Sequence, residues 1–347
     1  MSEATISEPT IDAAALGHWM DAQGLEGTGL EIEQRLIAGG TQNEIFEVSR
    51  GDFRAALRKP PSPAPAARDE GIYREWRIIE ALTGTDVPSA DAIAYCGDSA
   101  VLGRPFYLMS VVDGWSVMNT DGWWAAPFDT DMAARHELAY ELIEGIVQMG
   151  RLDWRARGLG DLGRPDGYHD RQVERWTGFL ERIKGREIPG LDEATQWLAC
   201  HRPLDFEPGV MHGDYQFPNV MFRHGTPGRL AAILDWEMGT IGDPKLDLAW
   251  ALQAWPEDPN EATSHEHLAG MPPRSKLLEH YAERSGRQVD DFDYYIVLAR
   301  WKLAIVLEQG YQRADGDPKL EEFGDYVLRY MSEAAEAAES SDYAAVN

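Results

Sequence analysis

The chain carries two kinds of hydrophobic pattern in succession. After a polar stretch at residues 1–10, "IDAAALGHWMDAQG" has helical spacing and closes at Gly24. "LEIEQRLIAGG" predicts a strand entering a glycine turn. "EIFEVSRGDFRAALRKP" predicts a β-hairpin around Arg50, Gly51 and Asp52. In its second arm Phe53, Ala55 and Leu57 point to one side and Arg54, Ala56 and Arg58 to the other, because strand side chains alternate. The Pro/Ala run "PPSPAPAA" ends that strand, since proline cannot donate to a ladder. "RDEGIYREWRIIEALTG" then repeats apolar residues at helical spacing through Ile72, Trp76, Ile79 and Leu82, with Gly84 at its end. "AIAYCGD" and "RPFYLMSVV" predict two more strands. Strands, one helix and further strands make a small α+β lobe on an antiparallel sheet.

Past Asp113-Gly114 helices dominate. "DMAARHELAYELIEGIVQMGRLDW" sets Leu138, Leu142, Ile146 and Met149 on one stripe, and "DRQVERWTGFLERI", "LDEATQWLACH" and "FDYYIVLARWKLAIVLEQGYQRA" read as further helices. Short strands are expected again only at "NVMF" and "LAAILDWE". The predicted organisation is bilobal, with residues 1–110 and 111–347 as its two parts, in keeping with a length too great for one ordinary core.

Charge narrows the partners. Lys+Arg 32 against Asp+Glu 59 leaves a net charge of -27, which repels nucleic acid and anionic membranes. The N-terminal stretch has no basic segment followed by an apolar one, and no apolar run reaches the length of a spanning helix. Two cysteines, Cys96 and Cys200, make no disulfide framework or metal-ligand spacing. A cytoplasmic location is the expectation; oligomeric state is not legible.

The candidate chemistry centres on "VMHGDYQFPNVMF". Asp214 and Asn219 stand in a D-x-x-x-x-N spacing, that of the protein-kinase catalytic loop, where the Asp accepts a hydroxyl proton and the Asn holds magnesium. A carboxylate beside a neutral oxygen donor suits that pair of tasks. "RLAAILDWE" reads as an apolar strand ending at Asp235, where a second magnesium ligand would fall, or else a carboxylate capping the next turn. Asp247 reads either as the N-cap of its helix or as a brace for the 212–214 loop, and Asp243 as a turn residue. In the small lobe "AGGTQNEIF" joins two strands. It is neither G-x-G-x-x-G nor a P-loop, yet the Gly39, Gly40 and Thr41 backbone can offer N–H groups to phosphates. Arg58 precedes Glu75 across one loop, as a kinase strand Lys precedes its helix Glu, while Lys59 points the other way in a regular strand.

These residues resemble the aminoglycoside phosphotransferase/choline kinase family, which has the protein-kinase-like fold. "HGDYQFPN" and "ILDWEMGTIGDPKLDLAW" carry the resemblance. "LRKPP", "YREWRII", "GRPFYLMSVVDG" and "GRPDGYHDRQVERW" are similar to the branch found with acyl-CoA dehydrogenases and among actinobacterial phosphotransferases. The resemblance implies Asp214 as catalytic base, Asn219 and Asp235 as magnesium ligands, and Arg58 with Glu75 as the phosphate-gripping pair. It also implies Met109, Ser110 and Val111 as an adenine-binding hinge. Arg58 departs from the more usual Lys, and Glu237 receives no role.

The expected function is ATP- and Mg2+-dependent phosphoryl transfer to a hydroxyl of a small molecule, a hydroxyacyl compound or an aminoglycoside. Trp115, Trp123, Trp124, Trp255 and Trp301 are candidate acceptor-wall residues, and Asp121, Asp129, Glu257 and Asp258 candidate acidic ones. The alternative is a nucleotide-binding pseudokinase acting as regulator or scaffold. A metal hydrolase built on His212 and Asp214 is disfavoured, because no second His falls at ligand spacing nearby.

Overall fold

The structure, a computed structural model, describes residues 10–39, 43–183, 185–257, 266–268 and 270–344. The chain divides into two compact units, residues 1–114 with 231–239 and residues 115–230 with 240–347.

The first unit opens with α1 (Ala13–Ala22), started by the Asp12 carboxylate accepting the Ala15 N–H. Then come β1 (Glu33–Gly39), β2 (Glu44–Arg50), β3 (Phe53–Lys59), α2 (Ala67–Leu82), β4 (Ala92–Cys96), the short α3 (Ser99–Leu102) and β5 (Phe106–Met109). The five strands form one antiparallel sheet in the order β1-β2-β3-β5-β4. The β2–β3 hairpin turns at Gly51, whose φ of 59° is the left-handed value that glycine adopts without steric cost.

On one face of this sheet Leu16 and Met20 of α1 join Phe46, Val48, Ala55, Leu57, Phe106 and Leu108 in a single core. On the opposite face Ala56, Arg58 and Tyr107 are buried as well, because α2 lays Glu75 and Trp76 against them, while Arg35 and Arg54 farther along that face stay exposed. Where a sheet is covered on both sides it keeps no solvated face. This is why Ala55 to Lys59 form an unbroken buried run although the side chains alternate as expected. The 231–239 segment is tied in by the Ile233 N–H on the Pro88 carbonyl at 2.9 Å. The Arg74 guanidinium holds its far end, donating to the Gly239 carbonyl at 2.7 and 3.1 Å.

The second unit contains α4 (Met132–Arg151), α5 (Gln172–Glu181), α6 (Leu191–Cys200), β6 (Gly209–Met211), β7 (Val220–Phe222), the start of β8 (Leu230–Ile233), β9 (Thr240–Gly242), α7 (Lys245–Leu252), α8 (Arg274–Ser285), α9 (Phe292–Tyr311), α10 (Pro318–Glu321) and α11 (Phe323–Ser340). Helix α4 buries the expected stripe. Helix α9 is buried on nearly every side, packed by α5, α6, α7 and α11. Two expectations need correction. Strands β6 and β9 exist besides those at 220 and 230, pairing Val210 with Ile241; three-residue strands are too short to show a period of two. Strand β8 also stops at Ile233, short of Asp235.

Four of the five candidate wall tryptophans are core: Trp115, Trp124, Trp255 and Trp301 are buried, and only Trp123, at 38%, is exposed. Asp121, Asp129 and Glu257 are exposed, and Asp258 lies outside the described residues. Cys96 and Cys200 are both free. Among the described residues no helix is long and apolar enough to cross a membrane.

Candidate active site

Strand β6 delivers the chain into His212, Gly213 and Asp214. Gly213 turns with φ 86°. Asp247, buried in the first turn of α7, accepts the His212 N–H at 2.6 Å and the Gly213 N–H at 2.8 Å on its two oxygens. It is a brace for the loop and not the N-cap of its own helix. Burial raises its pKa, and His212 with the two N–H bonds opposes that rise. The next residue, Tyr215, is fully buried and donates its hydroxyl to the Leu142 carbonyl at 2.8 Å. Gly145 leaves room for that hydroxyl; a Cβ there would sit 2.2 Å from it.

The Asp214 carboxylate is held by three side-chain N–H donors. Oδ1 accepts from Gln216 Nε2 at 2.9 Å and from Trp250 Nε1 at 2.7 Å, and Oδ2 accepts from Asn219 Nδ2 at 2.8 Å. An ionised carboxylate has about four lone-pair sites. Those on Oδ1 are occupied, and one remains on Oδ2. The second Asn219 N–H goes to the Asp214 carbonyl at 2.8 Å, leaving the Asn219 Oδ1 without a hydrogen bond among the described residues. Asp214 and Asn219 are thus brought together as their spacing predicts. Gln216 and Trp250 were missed, although both lie inside the motifs quoted above. Nothing in the spacing says that Trp250 Nε1 turns toward Asp214.

In the first unit Arg58, Glu75 and Asp235 also converge. Arg58 Nε lies 2.8 Å from Glu75 Oε2, and Arg58 Nη2 lies 2.7 Å from Asp235 Oδ1. Tyr107, unrecognised from the sequence, donates its hydroxyl to Glu75 Oε2 at 3.0 Å. Burial raises the Glu75 pKa while Arg58 and Tyr107 pull it back. Lys59 turns away to Glu44, at 2.6 Å. Asp235 has φ 61°, a left-handed value that is uncommon for a non-glycine residue, and its side chain does not cap the following turn.

Oxygens of Glu75, Asp235 and Glu237 lie within 4.8 Å of one another. Glu75 is committed to Arg58 and Tyr107. Asp235 and Glu237, partly exposed, are the oxygens suited to a hard divalent cation. Burial raises the Glu237 pKa, and the carboxylates of Asp235 and Glu75 raise it further. Local positive charge would relieve that strain. Met109 pairs with Ala56 and Ala92, and Ser110 is tied to Asp91 through both its N–H and its hydroxyl, each at 2.8 Å. No hydrogen bond closes on the Val111 N–H among the described residues. Gly39 ends β1, while Gly40 and Thr41 lie outside the described residues.

A five-stranded antiparallel unit with a buried cation–carboxylate pair, and a mainly helical unit with a D-x-x-x-x-N loop, define the kinase-like phosphotransferase fold. The sequence model of the Phosphotransferase enzyme family matches residues 33–283, and the chain belongs to that family. It is 30% identical over 292 residues to acyl-CoA dehydrogenase family member 11 of Gallus gallus, covering 81% of this chain and 37% of that protein. The chain therefore spans little more than a third of the length of that curated relative. A solved structure from Ralstonia eutropha, provisionally named an aminoglycoside phosphotransferase, matches with a TM-score of 0.80 and 29% identity over 95% of this chain and 99% of that one. The aminoglycoside phosphotransferase APH(4)-Ia, solved with ADP and hygromycin B, matches with a TM-score of 0.59 and 12% identity over 93% and 98%, which is likeness of fold.

Proposed function

We propose that this chain transfers the γ-phosphoryl group of ATP to a hydroxyl of a small molecule, with Mg2+ as cofactor. One observation carries the reading: three N–H donors fix the Asp214 carboxylate and leave a single lone pair, on Oδ2. That oxygen accepts the acceptor's hydroxyl proton as the hydroxyl oxygen attacks, a role that contributes typically ~10²–10⁴-fold. Asn219 Oδ1 and Asp235, with Glu237, are the oxygens that would hold Mg2+. When bound with ATP, the cation neutralises charge on the phosphate oxygens. Arg58, oriented by Glu75 and Tyr107, would grip the α/β-phosphates, and the Gly39, Gly40 and Thr41 backbone would cover them. Met109, Ser110 and Val111 would form the adenine hinge, with the uncommitted Val111 N–H as donor. The first unit is then the nucleotide-binding part, and the second bears the base and the acceptor. The ADP complex of APH(4)-Ia supports ATP as donor. Likeness to an acyl-CoA dehydrogenase family member supports a hydroxyacyl acceptor over an aminoglycoside.

A binding-only pseudokinase is favoured by one feature, the Arg58 clasp on Asp235, which occupies an oxygen the cation needs. ADP release over a panel of hydroxyacyl compounds and aminoglycosides separates the two. Turnover that Asp214→Asn abolishes, with Mg-ATP thermal stabilisation kept by Asp214→Asn and lost by Asp235→Ala, is the expected result. Stabilisation by Mg-ATP with no turnover across the panel establishes the pseudokinase; wild-type turnover in Asp214→Asn removes Asp214 as the base.

A further inference from the structure

Among the described residues five Lys and Arg side chains are buried. Four have a carboxylate: Arg50 with Asp21, Arg58 with Glu75, Lys59 with Glu44 and Lys245 with Asp291. The fifth, Lys302 of α9, is 7% exposed, and no ion pair or hydrogen bond closes on its ammonium among the described residues. Its Nζ lies over two indoles, 5.2 Å from the ring centre of Trp176 on α5 and 5.1 Å from that of Trp250 on α7. The nearby carboxylates are committed elsewhere, Asp247 to the His212 and Gly213 N–H groups and Asp214 to Gln216, Trp250 and Asn219.

Two indole faces attract a cation but accept none of its three N–H bonds in the way an oxygen does. A buried charge lacking oxygen partners is costly, and such a group is satisfied when a ligand brings the oxygen. The place of this charge gives it a task. The same Trp250 that faces Lys302 donates to Asp214, so the ammonium lies on one side of an indole whose N–H touches the proposed base. In a chain of net charge -27, which repels anions at large, one unpaired buried cation makes a local exception.

Resting on the phosphotransferase reading, we propose that Lys302 sets acceptor specificity: seated over Trp176 and Trp250, it takes an anionic oxygen group, a carboxylate or a phosphate, of the same molecule whose hydroxyl meets Asp214. The acceptor class is a hydroxylated organic acid or phosphate ester, with its acidic group on the Lys302 side of Trp250.

The test begins with binding, independent of turnover. Melting temperatures of the full chain are measured in butyrate, inorganic phosphate, butyramide and chloride at matched ionic strength, for wild type, Lys302→Met and Lys302→Gln. Butyrate or phosphate raises the wild-type value above the chloride and butyramide controls, and both variants lose that increment. Whichever anion acts identifies the group. Equal increments in wild type and whichever variants fold, or none with either anion, overturn the proposal. ADP release is then compared for hydroxy acids, their neutral amides and hydroxylated phosphate esters. The expected wild-type preference for the anionic acceptor is tenfold or more in kcat/KM, and Lys302→Met brings the ratio close to one. Turnover with no anionic preference overturns the role of Lys302 and leaves the phosphotransferase reading intact. A Lys302-dependent increment with no ADP release from any alcohol overturns that reading and establishes the anion site alone.

Discussion

Replacing Lys302 by Met separates a lysine held without an ion pair from an ion-paired structural one, because the two predict opposite changes of stability with pH. Burial pushes the Lys302 pKa from 10.5 down to about 8; Asp247 opposes the fall, Arg175 adds to it and Asp214 opposes it. With each pKa unit worth about 1.4 kcal/mol, holding the charged ammonium in the fold at neutral pH costs about 3 kcal/mol. Two desolvated cation–indole contacts return about 2 kcal/mol each, enough to offset that cost at neutral pH. A methionine of similar length has neither the charge to bury nor the cation–indole attraction, so Lys302→Met should lie within about 1 kcal/mol of wild type at pH 7.

The sign with pH follows from proton binding. Below about 8 the lysine is charged both folded and unfolded, and the penalty is present in full. Between about 8 and 10.5 the unfolded chain keeps the proton that the folded chain has released, so wild-type stability gains as pH rises. Wild type should therefore gain about 2 kcal/mol relative to Lys302→Met from pH 7 to pH 10. Equilibrium urea denaturation followed by far-UV circular dichroism, run on both proteins at each pH, measures it, other titrations cancelling in the difference. A difference flat with pH, or one that moves the other way, would falsify the account of Lys302 as a buried charge without an ion pair.

Other outcomes follow from the same geometry. Asp247→Ala leaves the buried His212 N–H and the half-buried Gly213 N–H without their carboxylate acceptor, at about 1–3 kcal/mol each, and should lower the urea midpoint and kcat together; Asp247→Asn should lose about half as much stability. Gly145→Ala drives a methyl into the Tyr215 hydroxyl and should cost about 1–3 kcal/mol, read as a lower melting temperature. Tyr107→Phe removes a donor from buried Glu75 and should cost about 1–2 kcal/mol; an unchanged melting temperature would mean that this bond adds nothing to the Arg58–Glu75 pair.

The parts of the site legible in the sequence are those whose partners lie within a few residues or on consecutive elements. Asp214 and Asn219 share one loop, so their spacing nearly fixes their contact. Arg58 and Glu75 fall on a strand and the helix after it, whose periods place them on facing sides. Asp247 was ambiguous because a carboxylate at a helix start serves a cap and a remote loop equally well; only the position of β6 beside α7 decides. Glu237 had no partner in its own pattern and gains one from α2. Lys302 left a faint signal, one of two charges, with Arg300, in the apolar run "YYIVLARWKLAIVL", with nothing to tell a paired lysine from an unpaired one.

Local pattern by itself determined the α+β composition, the antiparallel sheet, the long helices and the Asp214–Asn219 loop, because helix and strand periods and turn chemistry act over a handful of neighbouring residues. Tertiary packing alone decided that both faces of β3 are buried from Ala55 to Lys59, that Asp214 receives a tryptophan N–H from α7, and that an ammonium from α9 meets indoles from α5 and α7 with no carboxylate to match. Those contacts join positions far apart in the chain, where burial and close packing, and not residue period, choose the neighbour.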